Sequence, residues 1–312
     1  VAMPSDFLEL LADDAANNAD ATALDRVRTV LFECLFHEIA DERVSSLFAI
    51  LGFTGDFDCY AIAGYPARSA VRTRKDIEKI VADFGGTCIT ADYQVNGPTL
   101  AAHDAGRSHV ASSAGDDGTA EAAGAAGGRK NRGKRDDSRN AVVALVQQSG
   151  AATPEVICNT VAGAFAPDRP LAMGPQLAGA EGAMRSVRTA LYCLKAAPAL
   201  TVTLQSIPRP LRTDDALPER ALIGDTDARD ELVRVVYGSL TAAGPDDPTL
   251  RTVSTFLQFG GSLEATAKEL NVHPNTIRYR LKRAAETTGW DATDPREAYV
   301  LTTAIALGHM AV

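Results

Sequence analysis

The sequence predicts an α+β protein in three parts. They are an N-terminal helical region over residues 1–51, a small α/β domain over 52–210 with a disordered insertion at 103–139, and an all-α C-terminal domain over 211–312. Three observations predict this. Between Cys59 and Ala172 short β-like runs alternate with amphipathic helical patterns. After Ile207 the prolines Pro208, Pro210 and Pro218 mark a connector, and beyond them every pattern is helical. The chain's 312 residues are enough for two or more domains at roughly 100–200 residues each.

The first element spans about Thr22 to Leu51. Leu24, Val27, Leu31, Cys34 and Leu35 recur at intervals of three and four, one face of an amphipathic helix. Glu38 stands where the next apolar heptad position is due, so the pattern predicts a helix packed on the body or on a dimer partner rather than a long coiled coil. Strand-like runs follow at Cys59–Ala63, Thr87–Tyr93 and Ala141–Gln147, with a weaker one at Pro170–Met173. Helical patterns separate them. Ser69–Phe84 carries Val71, Ile77, Ile80, Val81 and Phe84 and stops at Gly85-Gly86. A second helix runs from about Thr153, with Pro154 in its first turn, and a third covers Gly179–Ala197.

The insertion, His103 to Arg139, is rich in Ala, Gly, Ser and Asp and then in basic residues, with almost nothing large and apolar. Within it, Gly128 to Arg135 nearly spells the phosphate-binding G-x-x-x-x-G-K-[ST] loop. Arg135 replaces the hydroxyl that holds magnesium, no strand leads in and no helix leads out, so the context that makes the motif work is missing. A solvated basic loop, or a non-specific DNA contact, fits better.

In the C-terminal part the helices are announced by their caps. One follows Asp225 or Asp227 and aligns Leu232, Val235, Val236 and Leu240. Asp247-Pro248 starts another, which buries Leu250, Val253, Phe256 and Leu257 and stops at Gly260-Gly261. Ser262 caps a short helix with Leu263, Thr266, Ala267 and Leu270 facing inward. Asn271-Val272-His273 then turns the chain and Pro274 starts the next helix, giving a helix-turn-helix. At about 100° per residue, Ile277, Leu281 and Ala284 of that second helix share one face. Asn275, Thr276, Tyr279, Lys282 and Arg283 share the other, and Arg278 and Arg280 flank them. A final helix has Asp294 and Glu297 at capping-box spacing, Pro295 at its first position, and Leu301, Ala304, Ile305 and Gly308 to close over the core. Trp290 is expected to pack within that core.

Charge sharpens this reading. The chain has 31 Lys and Arg against 40 Asp and Glu, a net −9, which excludes a protein that coats nucleic acid or anionic membrane with its whole surface. From His273 to Arg283, however, there are four basic residues and no acid. Removing that segment leaves the remainder at −13. An acidic body with one basic helix face is suited to local, specific contact with double-stranded DNA. On that face Asn275, Thr276 and Tyr279 are placed to read base edges in the major groove. Arg278, Arg280, Lys282 and Arg283 are placed to neutralise phosphates, and Arg283 can also reach a guanine.

Other chemistry finds less support. Cys34, Cys59, Cys88, Cys158 and Cys193 are far apart, with no C-x-x-C pair, and read as buried thiols. His37, His103, His109, His273 and His309 lack the short paired spacing of a zinc site. No G-x-S-x-G, H-E-x-x-H or strand-linked G-x-G-x-x-G motif occurs, so no catalytic residue, metal or cofactor is expected. No stretch reaches the roughly 18 apolar residues of a membrane span, and Asp6, Glu9, Asp13 and Asp14 give the N-terminus the wrong charge for a signal peptide. A cytoplasmic protein that does not bind membranes is expected. The chain opens on Val1, which fits a fragment or a non-standard start codon.

The stretch Thr249-Leu250, Phe259-Gly260-Gly261, Val272-His273-Pro274-Asn275-Thr276-Ile277-Arg278-Tyr279-Arg280-Leu281 and Thr288-Gly289-Trp290 resembles the C-terminal DNA-binding domain of the PucR/CdaR family of bacterial transcription regulators. Leu222-Ile223-Gly224-Asp225 and Leu232-Val233 are similar to that family's lead-in. Gly174-Pro175 and Gly179 to Leu194 resemble the GGDEF-like domain found ahead of this helix-turn-helix. No G-G-[DE]-E-F string occurs, so the resemblance implies a sensor or dimerisation module and not a cyclase. Asp294 to Leu301 and the Ala- and Arg-rich composition look most like the actinobacterial regulators of fatty-acid synthesis genes, which implies a long-chain acyl-CoA effector. The family resemblance and paired half-sites imply a homodimer on a promoter operator. The alternatives are a regulator of another pathway, such as purine or sugar-acid use, a nucleotide-processing enzyme on the α/β domain, and a scaffold that uses the helix-turn-helix for protein contacts.

Overall fold

The computed structural model describes residues 22–53, 55–95, 140–148, 150–244 and 247–311. The single N-terminal helix expected from the sequence is two. Helix α1 (Ala23–Phe36) is capped by Thr22, whose hydroxyl accepts the Asp25 N–H, and α2 (Glu42–Ile50) by Asp41, which accepts from Arg43 and Val44. Between them Glu38 takes a left-handed conformation with φ 59°, which no right-handed helix can pass through. The Asp41 cap then restarts the helix in a new direction.

Strand β1 (Asp58–Gly64), α3 (Ala70–Asp83), β2 (Thr87–Gln94), β3 (Asn140–Gln147), α4 (Pro154–Val161), β4 (Leu171–Met173), β5 (Leu177–Ala178) and α5 (Gly179–Leu200) form an α+β domain. The strands lie in the order β2-β3-β1-β4, all neighbours antiparallel, and β5 adds to β1. This is the split βαββαβ arrangement. Local chemistry sets its helix boundaries as the sequence predicts: Ser69 and Thr153 cap α3 and α4, and Gly85 ends the first of these at φ 77°. The two-residue β5 has no sequence signature. Strands β2 and β3 pair from Thr87 with Gln147 to Gln94 with Asn140, so they are the arms of one hairpin. The insertion leaves and returns at its tip; residues 103–139, with the basic loop, lie outside the described residues.

β1 is buried on both faces, which explains its unbroken apolar run. Tyr60 and Ile62 pack with Ile77 and Val81 of α3 and Ile157 of α4. Cys59, Ala61 and Ala63 face the opposite layer with Phe32 and Leu35 of α1, Phe48 of α2 and Val187 and Leu191 of α5. The layers are pinned at Ser186, whose Oγ accepts the Ala61 N–H at 2.8 Å and donates to the Pro175 carbonyl at 2.7 Å. Gly174 lies against the same residue, and a Cβ there would stand 2.2 Å from the Ser186 carbonyl oxygen.

The C-terminal helices are α6 (Leu217–Leu222), α7 (Thr226–Glu231), a π turn (Leu232–Tyr237) running into α8 (Gly238–Thr241), α9 (Thr249–Gln258), α10 (Leu263–Glu269), α11 (Pro274–Thr288) and α12 (Pro295–Ala311). Their core holds Leu232, Val236, Leu240, Val253, Phe256, Ile277, Leu281, Val300, Leu301 and Ala304. Three expectations need correction. Val235 is 48% exposed, because the π turn carries an extra residue per turn and rotates it off the apolar stripe. Leu250 and Leu257 are only half-buried. Glu297 does not close a capping box on Asp294: its carboxylate accepts the Asp291 N–H, while Asp294 caps α12 through the N–H groups of Arg296 and Glu297.

Arginines tie this unit to the α+β domain, through the Arg188–Asp227 ion pair and the hydrogen bonds of Arg220 and Arg296. Arg220 on α6 and Asp225 at the cap of α7 are 1% and 0% exposed and meet at 2.7 Å and 2.8 Å through two guanidinium nitrogens. Arg220 also donates to the Thr213 carbonyl and to Thr189 Oγ1 of α5. Arg188 of α5 bridges Asp227 of α7 at 2.6 Å and Glu38 at 3.1 Å. Arg296 of α12 holds Glu219 of α6 through two bonds and also donates to the Asp215 carbonyl and to Thr203.

Burial alone would raise the Asp227 carboxyl, but the hydrogen bond and charge of Arg188, with Arg185, outweigh it and hold the group below its ordinary value. Its contribution to stability is therefore present above about pH 4, the usual carboxylate range, and is lost as pH falls from there through the lower folded value. Acid titration of wild type and Asp227→Asn should show the two stability curves converging in that window. A gap that stays constant down to acid unfolding would contradict the assignment.

Candidate nucleic-acid interface

The helix-turn-helix is α10, its turn and α11. Ser262 starts α10 by accepting the Ala265 N–H at 3.2 Å. The turn is made by Asn271, whose left-handed φ of 52° suits a short polar side chain. His273 caps α11 through Nδ1, which accepts the Asn275 N–H at 3.2 Å, and Pro274 occupies the first position, where it forfeits no hydrogen bond. Gly289, at φ 78°, ends the helix with its N–H on the Ala285 carbonyl. Ile277, Leu281, Ala284 and Thr288 are buried, as the apolar stripe requires. Trp290 packs half-buried against the same core.

The opposite face carries the residues singled out from the sequence. Asn275, Arg278, Tyr279, Lys282 and Arg283 are exposed, Tyr279 to 68%. Arg278 donates to Asn275 Oδ1 at 2.8 Å, one turn apart, so the two side chains hold each other. Thr276 and Arg280 are half-buried on the flank that meets α9. There Arg280 Nη1 lies 3.4 Å from Thr252 Oγ1, a structural duty that periodicity did not show. Asp247, at the start of α9, comes within 4.0 Å of Arg283. The sequence marks Asp247 only as a helix start, because its pairing with α11 exists only once the helices cross.

A side-chain face with polar reach at its centre and cations on both flanks suits a duplex: the cations take phosphates and the centre meets base edges. The rest of the described chain presents a different chemistry. A cleft of about 600 Å³ between α1, α3 and β2 carries two ion pairs within its wall, Arg28 with Glu78 at 3.6 Å and Arg74 with Asp92 at 3.7 Å. Burial pushes the thiols up, Cys34 to about 11 and Cys59, Cys158 and Cys193 to about 12, so they stay protonated and unreactive at neutral pH. Among the described residues no three His, Cys, Asp or Glu side chains gather as a metal site, and no helix is long and apolar enough to cross a membrane.

Comparison with known proteins agrees with this geometry. Residues 249–307 match the PucR C-terminal helix-turn-helix domain. The crystal structure of a regulator of polyketide synthase expression from Bifidobacterium adolescentis is similar at 44% identity and TM-score 0.76, over 98% of this chain and 99% of that one. An uncharacterized protein of Mycobacterium tuberculosis is 40% identical over 170 residues, 54% of this chain and 39% of that protein. Another, from Thermomonospora curvata, is 29% identical over 99 residues, 31% of this chain and 55% of that protein. The match thus spans about two-fifths of the mycobacterial relative's length. With the helix-turn-helix match at its C-terminal end and 44% identity along nearly its whole length to a known regulator, the chain belongs to the PucR-type helix-turn-helix family of transcriptional regulators.

Proposed function

We propose that the protein is a sequence-specific regulator that binds promoter DNA as a homodimer, with α11 in the major groove. The observation that carries this is the exposed polar and basic face of α11 from Asn275 to Arg283, a stretch without an acid, on a helix seated by Ile277, Leu281 and Ala284. Asn275, Thr276 and Tyr279 read bases. Arg278, Lys282 and Arg283 take phosphates, with Arg280 doing so from its flank position while bonded to Thr252. A dimer follows from paired half-sites about one helical turn apart. A bacterial regulator of this kind works in the cytoplasm, where its DNA is.

Duplexes selected from a random library should be retained by the wild type. The double variant Arg278→Ala/Lys282→Ala, which changes only exposed side chains, should bind them about tenfold more weakly and flatten the salt dependence by roughly two phosphate contacts. Unchanged affinity and slope, with the fold intact, would rule this face out.

The narrower reading is a regulator of fatty-acid synthesis genes tuned by a long-chain acyl-CoA, with the α+β domain as a GGDEF-like sensor or dimerisation module. Two things support it: the resemblance of Asp294 to Leu301, and a relative described as a regulator of polyketide synthase expression, since polyketide and fatty-acid synthases both elongate acyl thioesters. Footprinting on the gene's own neighbourhood with and without acyl-CoAs tests it. Protection indifferent to every acyl-CoA would leave DNA binding standing and remove the lipid effector, reopening regulation of purine or sugar-acid use.

A further inference from the structure

Asp247 stands beside the flank of α11 that carries Arg280 and Arg283, and its side chain is only 12% exposed. It makes two kinds of contact. Oδ1 accepts the Thr249 N–H at 2.8 Å and closes the turn that opens α9. Oδ2 lies 4.0 Å from Arg283 Nη2. Hydrogen bonds from Thr249, and then the charges of Arg283 and Arg280, hold the carboxyl below its ordinary value, so it stays an anion at neutral pH. Arg283 itself is 55% exposed, with its guanidinium free to leave for another anion.

The geometry points to Asp247 as an internal rival of DNA phosphate for Arg283: a positioning residue that keeps this arginine partly neutralised until DNA displaces it. The inference rests on the DNA-binding reading of α11. Its physical basis is that a cation already paired with a carboxylate releases fewer counterions on meeting a phosphate, so the pairing lowers both affinity and salt dependence.

The test is Asp247→Asn, which keeps the Oδ1 acceptor for Thr249, so α9 begins as before, and removes only the charge. Binding is measured to duplexes of about 30 base pairs recovered by selection with the wild type, long enough for two half-sites a helical turn apart, and to a scrambled duplex. The variant should bind both duplexes about three- to fivefold more tightly at low salt, with a log–log salt slope steeper by about one. In an Arg283→Ala background the same substitution should lose most of that gain, a dependence that a merely structural role for Asp247 would not produce. Unchanged or weaker binding by a folded Asp247→Asn, or a full gain that persists without Arg283, would overturn the proposal while leaving wild-type DNA binding intact. If neither wild type nor variant retains any duplex, the DNA reading of α11 fails and this proposal falls with it.

Discussion

Replacing Asp225 with alanine should destabilise the protein by about 3–5 kcal/mol, the usual cost of leaving one partner of a buried ion pair uncompensated. Arg220 would keep its charge at 1% exposure, with only the Thr213 carbonyl and the Thr189 hydroxyl to receive it. The same substitution removes the cap that accepts the Asp227 and Ala228 N–H groups, so α7 would lose its start as well. Urea unfolding is the measurement. A companion variant separates charge from packing: Arg220→Met/Asp225→Asn removes both charges at similar volume, keeps an acceptor for the start of α7 and should fall well short of the single variant's loss. A single variant within about 1 kcal/mol of wild type would mean that the pair is not desolvated in solution.

Gly174→Ala should lower stability by about 1–3 kcal/mol or more, the range for overpacking a close-packed site. The new methyl would meet the Ser186 carbonyl oxygen at 2.2 Å and its Oγ at 2.6 Å. Backbone of a long helix cannot withdraw by the ångström or so that this contact demands. Relief would have to come from shifting α5 off β1, which breaks the bond from the Ala61 N–H to Ser186 Oγ, or from moving residue 174 itself, which breaks the bond from its N–H to the Ala61 carbonyl. Thermal unfolding should report the loss. An unchanged midpoint would mean that the strand and helix are more loosely joined than these distances imply.

What could be read from the sequence was local. The Ser69 cap and the Gly85 stop bracket α3 because a helix end is decided within a few residues. The two faces of α11 were legible for the same reason: periodicity alone separates Ile277 and Leu281 from Tyr279 and Lys282. What escaped depends on the chain meeting itself. The break at Glu38 replaced one expected helix with two, because both segments bury their apolar residues on the sheet and the connection must turn to allow it. The exposure of Val235 comes from a π turn that no residue type announces. Arg188 with Asp227, Arg296 with Glu219 and Arg283 with Asp247 join residues far apart in sequence, whose charges each look like ordinary surface charge until the helices are packed.

The hairpin of β2 and β3 also bears on how fast the chain reaches this fold. Gln94 and Asn140 sit opposite each other, yet the polypeptide between them must close before the first rung of their ladder can form. Loop-closure entropy grows only logarithmically with length, about 0.6 kcal/mol per doubling, so a long excursion at this tip costs little at equilibrium. Its weight falls on the rate. Central strand β3 can join β2 only through a non-local encounter, and non-local pairing is what slows folding. During synthesis, α1, α2, β1, α3 and β2 emerge well before β3 does, so the half-built sheet must wait for the strand that fills its middle.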